Sequence, residues 1–438
     1  MDRDAHELAR VLVPTRVAGP RRVAVVGGGW AGLAAAVEAT RLGHKATLFE
    51  MAPQLGGRTR TVGTAGLDNG QHILIGAYTE TLALMRSVGV DIDAAFVRSP
   101  LRLSYPDGTG LHLGAGAPAL AFSRAVLARR GWPWRARIAL LCAAAGWSLR
   151  GFRCDPALTV TTLTSRLPTV IRNDLIDPLC VAALNTPATD ASASAFLRVL
   201  DDALLSGPGS ADLLLPRVGL SALLPEPAAH WLERAGASIR LGQRVGRLEA
   251  QGDAWRLDGE PFDRVVLAAT LNEASRLTRT IAPAWSETTA TLRFEPILTI
   301  YLRAAGVRLP EPMLALRSDD FNPAQFVFDR GQLGGPPGLL AFVISGAAAW
   351  VERGMEATLL ATVTQAQTAL ARHLGAPVVP VQVLIEKRAT FRCTPQLARP
   401  AMDISPGLCA AGDYVAGPYP ATIEGAVRSG LQAARKLG

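Results

Sequence analysis

The chain has 438 residues, 49% apolar and 19% charged, with a formal net charge of +8, so it is too long for one simple core and predicts two or three domains. The basic excess is almost all arginine, with only Lys45, Lys387 and Lys436 as lysines; no basic stripe carries the aromatic interleaving and fold motif of a nucleic-acid binder, and no such partner is expected. Five scattered cysteines, with no CxxC and no histidine at ligand spacing, speak for a reducing compartment and against a metal site.

Residues 1–20 read as an N-terminal extension. MDRDAHELAR carries charges where a secretory signal needs an apolar stretch, so a cytoplasmic location is expected. The longest apolar run, Ile138 to Trp147, is about half of what a bilayer requires.

Residues 22–50 read RVAVVGGGWAGLAAAVEATRLGHKATLFE. Val23 to Val26 predict a buried strand, Gly27, Gly29 and Gly32 form GxGxxG, Leu33 to Leu42 predict a helix, and Lys45 to Phe49 predict a second strand ending in Glu50. Each residue has a physical role in holding a dinucleotide. Gly27 permits the tight turn, Gly29 lets backbone approach a pyrophosphate, and Gly32 lets the helix pack on the strand. The helix N-terminus offers free N–H groups to phosphate, and Glu50 can accept from ribose hydroxyls. Gly56-Gly57-Arg58 follows the acid at short range. It suits FAD better than NAD, because a second half of the dinucleotide needs another backbone contact and a cation.

Residues 67–78, LDNGQHILIGAY, read as a turn entering a strand. Gln71 and His72 stand at the junction, where a hairpin would prefer Val or Thr. Residues 99–214 are apolar and predict helices. Within them, Gly108 to Cys154 contain no Asp or Glu but gather arginines around Trp132, Trp134 and Trp147. Segment 120–150 reads either as an interfacial stretch on anionic lipid or as a helix with a solvated basic face and an inward tryptophan.

Residues 230–270 predict a helix, a strand, a hairpin turning at Gln251-Gly252 and a return strand from Arg264 to Ala268, with Val245 placed to meet adenine by backbone. Residues 276–380 again predict helices covering a sheet. Glu386, Lys387 and Arg388 are expected at the end of a strand Val381–Ile385, as a surface ion pair or as a second polar cluster of the site. Finally, Leu408 to Ala411 predict a strand followed by Gly412-Asp413 and a helix from Thr422. Asp413 either binds the ribityl chain or pyrophosphate or merely caps a turn, and the helix can aim N–H groups at flavin carbonyls.

Together these three blocks resemble the flavin-containing amine oxidase and phytoene desaturase superfamily. The resemblance implies an α/β fold: a discontinuous Rossmann-type FAD-binding domain (21–98, 215–275 and 381–438) interleaved with an α+β substrate domain (99–214 and 276–380). It places FAD contacts on Gly27, Gly29, Gly32, Glu50, Gly57, Arg58, Val245, Gly412, Asp413 and Thr422. More narrowly, DNGQHILIGAYTETLALMRSVG, EKRATFRCTP and AGDYVAGPYPATIEGAVRSG resemble the hydroxysqualene dehydroxylase family of squalene-associated flavoenzymes. That implies hydride transfer from reduced FAD to an allylic carbon of a hydrophobic triterpenoid, an electron donor to FAD, and attachment to the inner face of the cytoplasmic membrane. Gln71 and His72 then become catalytic candidates. An imidazole pKa of about 6.5 would let His72 donate a proton near neutrality, and Gln71 could orient the leaving hydroxyl. Alternatively, His72 only shapes the pocket. Tyr414 and Tyr419 are the candidates for the paired aromatics that an amine oxidase would need. A carotenoid or isoprenoid desaturase, an amine oxidase and a non-catalytic flavin-binding protein remain alternatives.

Overall fold

The computed structural model describes residues 19–63 and 66–437, so the expected N-terminal extension lies almost wholly outside the described residues. A six-stranded sheet runs in the order Ser238–Arg240, Lys45–Phe49, Arg22–Val26, Arg264–Leu267, Leu408–Ala410, Asp403–Ser405; all neighbours are parallel except the last pair. Its central strands are continuous apolar runs because both faces are covered. The helix Trp30–Arg41 starts earlier than expected, since Gly29 already accepts the first helical bond from the Leu33 N–H at 2.9 Å. Against it packs the C-terminal helix Ile423–Arg435. A Cβ on Gly430 would lie 2.1 Å from the Ala31 carbonyl oxygen, so the absence of a side chain there lets the two helices touch.

A second sheet is antiparallel throughout, in the order Met313–Ala315, Phe326–Asp329, Leu339–Ile344, Phe294–Arg303, Val379–Phe391. Period-2 alternation gives each face its own core. Leu298, Ile300, Leu340 and Phe342 pack under the helix Met355–Ala369. Tyr301, Phe326, Phe328 and Val343 face the core built by residues 99–214. Residues 381–391 differ from expectation: they belong to a strand that continues to Phe391 and pairs with Phe294–Arg303, not with the nucleotide sheet. Glu386 to Arg388 therefore lie within a strand, not at its end.

Candidate active site

Residues of both sheets line one cavity of about 790 Å³. At one end stand the glycine turns, and here each glycine answers to a different constraint. Gly27 has a φ of +113°, and a Cβ there would lie 2.4 Å from the Ala268 carbonyl oxygen. A Cβ on Gly32 would lie 1.8 Å from the Gly27 oxygen, and Gly32 packs the helix onto the turn without lining the cavity. Gly29 is unlike both. Its φ is an ordinary −75°, and the nearest atom to an added Cβ is 3.9 Å away. Neither conformation nor packing demands glycine at this cavity-lining position, so what it keeps clear is room for a bound group.

Gly57, at φ +59°, abuts Gly29, and the Gly56 N–H donates to the Gly28 oxygen at 2.8 Å, so the second glycine pair locks onto the first turn. The buried Glu50 carboxylate accepts from the Gly28 N–H at 2.6 Å and the Ala52 N–H at 2.7 Å. Each oxygen keeps a lone pair for a further donor. Val245 is buried at the cavity wall and its carbonyl accepts from Arg276 at 2.6 Å.

Across the cavity, Gly412 exchanges hydrogen bonds with the Ser429 hydroxyl, and Asp413 accepts from Arg58 at 2.5 Å. Arg58 also donates to the Ala389 carbonyl at 2.6 Å. Burial works against its charge, but Asp413 and then Glu386 outweigh it and hold the guanidinium pKa above its ordinary value. Thr422 caps the C-terminal helix, its hydroxyl accepting from the Gly425 N–H at 3.0 Å, and it lines the cavity with Ile423. The residue before the cap, Ala421, sits at φ +56°, a left-handed strain concentrated at the site.

The segment Asn69–His72 forms a polar wall of the same cavity, and side chains hold it. Asp68 is buried; its carboxylate accepts from the Thr61 hydroxyl at 2.8 Å and the Leu220 N–H at 2.9 Å, and pairs with buried Arg330 at 3.4 Å. Burial still pushes its pKa up. Arg330 also donates to the Gln71 carbonyl oxygen at 3.0 Å, and the Gln71 amide donates to the Tyr301 hydroxyl at 2.9 Å. The Gln71 side chain is thus bonded at both its oxygen and its nitrogen. Asn69 donates to the Arg58 oxygen at 3.0 Å and the Glu386 carboxylate at 3.2 Å.

Glu386 reaches that position through a bulge. Glu295 pairs with Thr390 but Ile297 pairs with Glu386, so three residues oppose the single Pro296. Proline has no N–H for the ladder. The resulting bulge, Lys387 to Ala389, turns the Ala389 carbonyl to Arg58. Glu386 and Lys387 form no ion pair among the described residues.

His72 does not match the proton donor expected of an ordinary imidazole. Its Nε2 meets the Thr59 hydroxyl at 3.3 Å, and its Nδ1 is sealed from solvent with no partner among the described residues. The residue as a whole is only partly buried because it borders the cavity. Desolvation of the ring and then the nearby Arg58 charge lower its pKa to about 4. At neutral pH it is an uncharged imidazole.

The profile of a family described as flavin containing amine oxidoreductase matches residues 30–437. The chain belongs to that family. It is an FAD-dependent oxidoreductase, and the cavity's paired glycine turns and free carboxylate capacity fit a dinucleotide. Among curated proteins it is similar to two named hydroxysqualene dehydroxylase. The one from Sinorhizobium fredii is 27% identical over 95% of this chain and 98% of its own length, and the one from Rhodopseudomonas palustris is 28% identical over 94% and 97%. Among solved structures, an oxidoreductase from Methanosarcina mazei shares the fold with a TM-score of 0.72 at 16% identity, covering 95% of this chain and all of that one.

Beyond the polar wall this flavin-containing oxidoreductase lines its cavity with Phe294, Ile297, Phe326, Phe328, Val343 and Leu384. Tyr414 and Tyr419 do not form an aromatic pair there. Tyr414 lines the cavity, its hydroxyl donating to the Ala269 oxygen at 3.3 Å. The Tyr419 ring instead lies between the Arg198 and Arg428 guanidinium groups, 5.2 and 4.8 Å from its centroid. No residue of 120–150 lines the cavity. Tyr301, Arg330 and Thr59 escaped the reading of the sequence; the only local signal was a charged Asp68 beside an apolar strand. Pro296, inside the strand-like stretch FEPILTIYLR, was the available sign of the bulge.

Proposed function

We propose that this protein removes the allylic hydroxyl of hydroxysqualene reductively to give squalene. The reading is carried by one observation: a single cavity is lined by the paired glycine turns, by the polar segment Asn69–His72 anchored on buried Asp68 and Arg330, and by apolar side chains such as Phe326, Phe328 and Val343. The names and matching lengths of the two curated relatives support the substrate.

In this reading Gly27, Gly29, Glu50 and Val245 hold the adenosine and pyrophosphate half of FAD. Gly57, Arg58, Gly412, Asp413 and Thr422 hold the flavin half. Reduced FAD supplies the hydride that takes the place of the hydroxyl, and the hydroxyl leaves with one proton as water. The side chains position the substrate for that exchange. The apolar walls accept a hydrocarbon chain and exclude water. The Asn69–His72 wall is the place for the lone hydroxyl, because an unpaired polar group in an apolar cavity is costly. As a neutral ring with Nε2 on the Thr59 hydroxyl and Nδ1 sealed, His72 shapes the wall and does not act as an imidazolium acid. Gln71, fixed at both ends, holds the wall in register.

So apolar a substrate resides in membranes, and we propose that the protein works peripherally on the inner face of the cytoplasmic membrane. Among the described residues no helix is long and apolar enough to cross one.

The test is anaerobic incubation of the holoprotein, reduced with dithionite, with detergent-dispersed hydroxysqualene. Squalene formed with flavin reoxidation, one for one, is expected. No squalene, together with desaturation of a polyene precursor or oxidation of an amine by the oxidised holoprotein, overturns the reading.

A further inference from the structure

The helices Pro118–Ala128 and Trp134–Leu149 present a surface that the cavity does not use. On the second helix, Ala136, Leu140 and Trp147 are buried against the chain. Trp134, Ile138, Cys142, Ala145 and Leu149 are exposed. At about 100° per residue the exposed five fall on one stripe and the buried three on the diametrically opposite one. A helix apolar on both sides is ordinarily covered on both. Here the outer side is bare: Trp134 is 67% exposed and Leu149 90%. Leu120 and Leu127 extend the patch from the neighbouring helix, so these two helices hold five of the twelve large exposed apolar side chains among the described residues.

The charges carried by residues 108–154 have one sign. Arg124, Arg130, Arg135, Arg150 and Arg153 are exposed, and none forms an ion pair among the described residues. The stretch from Gly108 to Cys154 contains no acid to oppose them. The inner arginine of the same segment behaves quite differently. Arg129 is buried, lies 3.7 Å from Asp174 and stacks on Trp132, whose Nε1 donates to the same carboxylate at 3.0 Å. The segment therefore has an inward arginine–tryptophan cluster with a structural role and an outward one with no ion-pair partner among the described residues.

We infer that the outer face of these two helices docks on an anionic lipid bilayer, with Trp134, Ile138 and Leu149 in the interface and the arginines against the headgroups. A second copy of the chain fits less well, because a self-complementary contact would set the arginines against one another. Spanning is excluded by length. Sixteen residues make a helix of about 24 Å, against a hydrocarbon core of about 30 Å, so the helix lies in the surface. The face gives the proposed lipid-soluble substrate a reason to be within reach, and to that extent the inference rests on that reading.

The test uses holoprotein and vesicles of phosphatidylcholine with or without phosphatidylglycerol, with no substrate present. Flotation with the anionic vesicles is expected, weakened by high salt. The double variant Ile138→Glu/Leu149→Glu should bind about tenfold or more weakly, while its flavin spectrum, melting temperature and turnover of detergent-dispersed substrate stay unchanged. Brominated lipids should quench the wild type more than Trp134→Phe. Absence of flotation with either vesicle, or flotation indifferent to the double substitution, overturns the inference. So does a concentration-dependent dimer that the double substitution abolishes. Because no turnover is read with vesicles, such a failure leaves the dehydroxylase reading standing.

Discussion

Around the first glycine turn the constraints fall on the backbone: Gly27 and Gly32 have no room for a Cβ, and even Glu50 is fixed by two backbone N–H groups. The Asn69–His72 wall, on the same cavity, hangs on side chains contributed from 230 or more residues away, Tyr301 and Arg330. The difference teaches where each kind of function is written. A cofactor that many chemistries share is held by backbone shape, which tolerates change in the surrounding side chains. The part proposed to recognise one functional group is built from side chains that others hold in place.

Substitutions can break either side of this contrast. The largest effect is expected at Gly32→Val: with a Cβ 1.8 Å from a carbonyl oxygen, the helix cannot close on the turn, and the protein should fail to fold, read as insoluble expression or a lost melting transition. Gly29→Val sharpens the point. Its side chain meets only cavity, so the apoprotein should melt near the wild-type temperature yet lose FAD binding by at least about 100-fold. Next comes Arg330→Met, which strands the buried Asp68 carboxylate. About 3 kcal/mol of stability should be lost by denaturant titration, and Asp68→Asn should restore part of it.

Of similar size is a pH dependence. His72 has a folded pKa of about 4, below its unfolded value, so the unfolded chain binds the extra proton between the two. Its neutral burial therefore contributes stability that is present above about pH 6.5 and is lost as the pH falls towards 4. His72→Gln should flatten that limb of the stability profile. An unchanged profile would mean the ring is solvated.

The nucleotide half was legible because its signals are short-range. Strand, GxGxxG, helix, strand and Glu50 all fall within residues 22–50, and the C-terminal Asp413–Thr422 block is equally compact. One helix start was off by a turn, since Gly29 serves as the cap of a helix expected to start at Leu33, whereas the C-terminal helix begins at its expected cap, Thr422. The polar wall was legible as a place but not as a mechanism. Nothing near Gln71 in sequence announces Arg330, and a histidine's neighbours in sequence do not disclose that its ring is sealed beside Arg58. The bulge at Lys387–Ala389 was hidden for the same reason: its cause, Pro296, lies on the partner strand. In the apolar segment 120–150 the inward tryptophan was legible, as Trp132 and Trp147 face in, whereas Trp134 faces out and is where the proposed lipid contact begins.

The division of labour between backbone and side chains is tested most directly in one variant, Gln71→Ala/His72→Ala. FAD affinity is measured by flavin fluorescence, and squalene formation is measured in a single anaerobic turnover of the reduced protein. The expected result is FAD binding within about twofold of wild type and a turnover rate about 100-fold or more lower. Loss of FAD along with activity would make the wall part of the cofactor site, and an unchanged rate would contradict the assignment of the substrate hydroxyl to Asn69–His72.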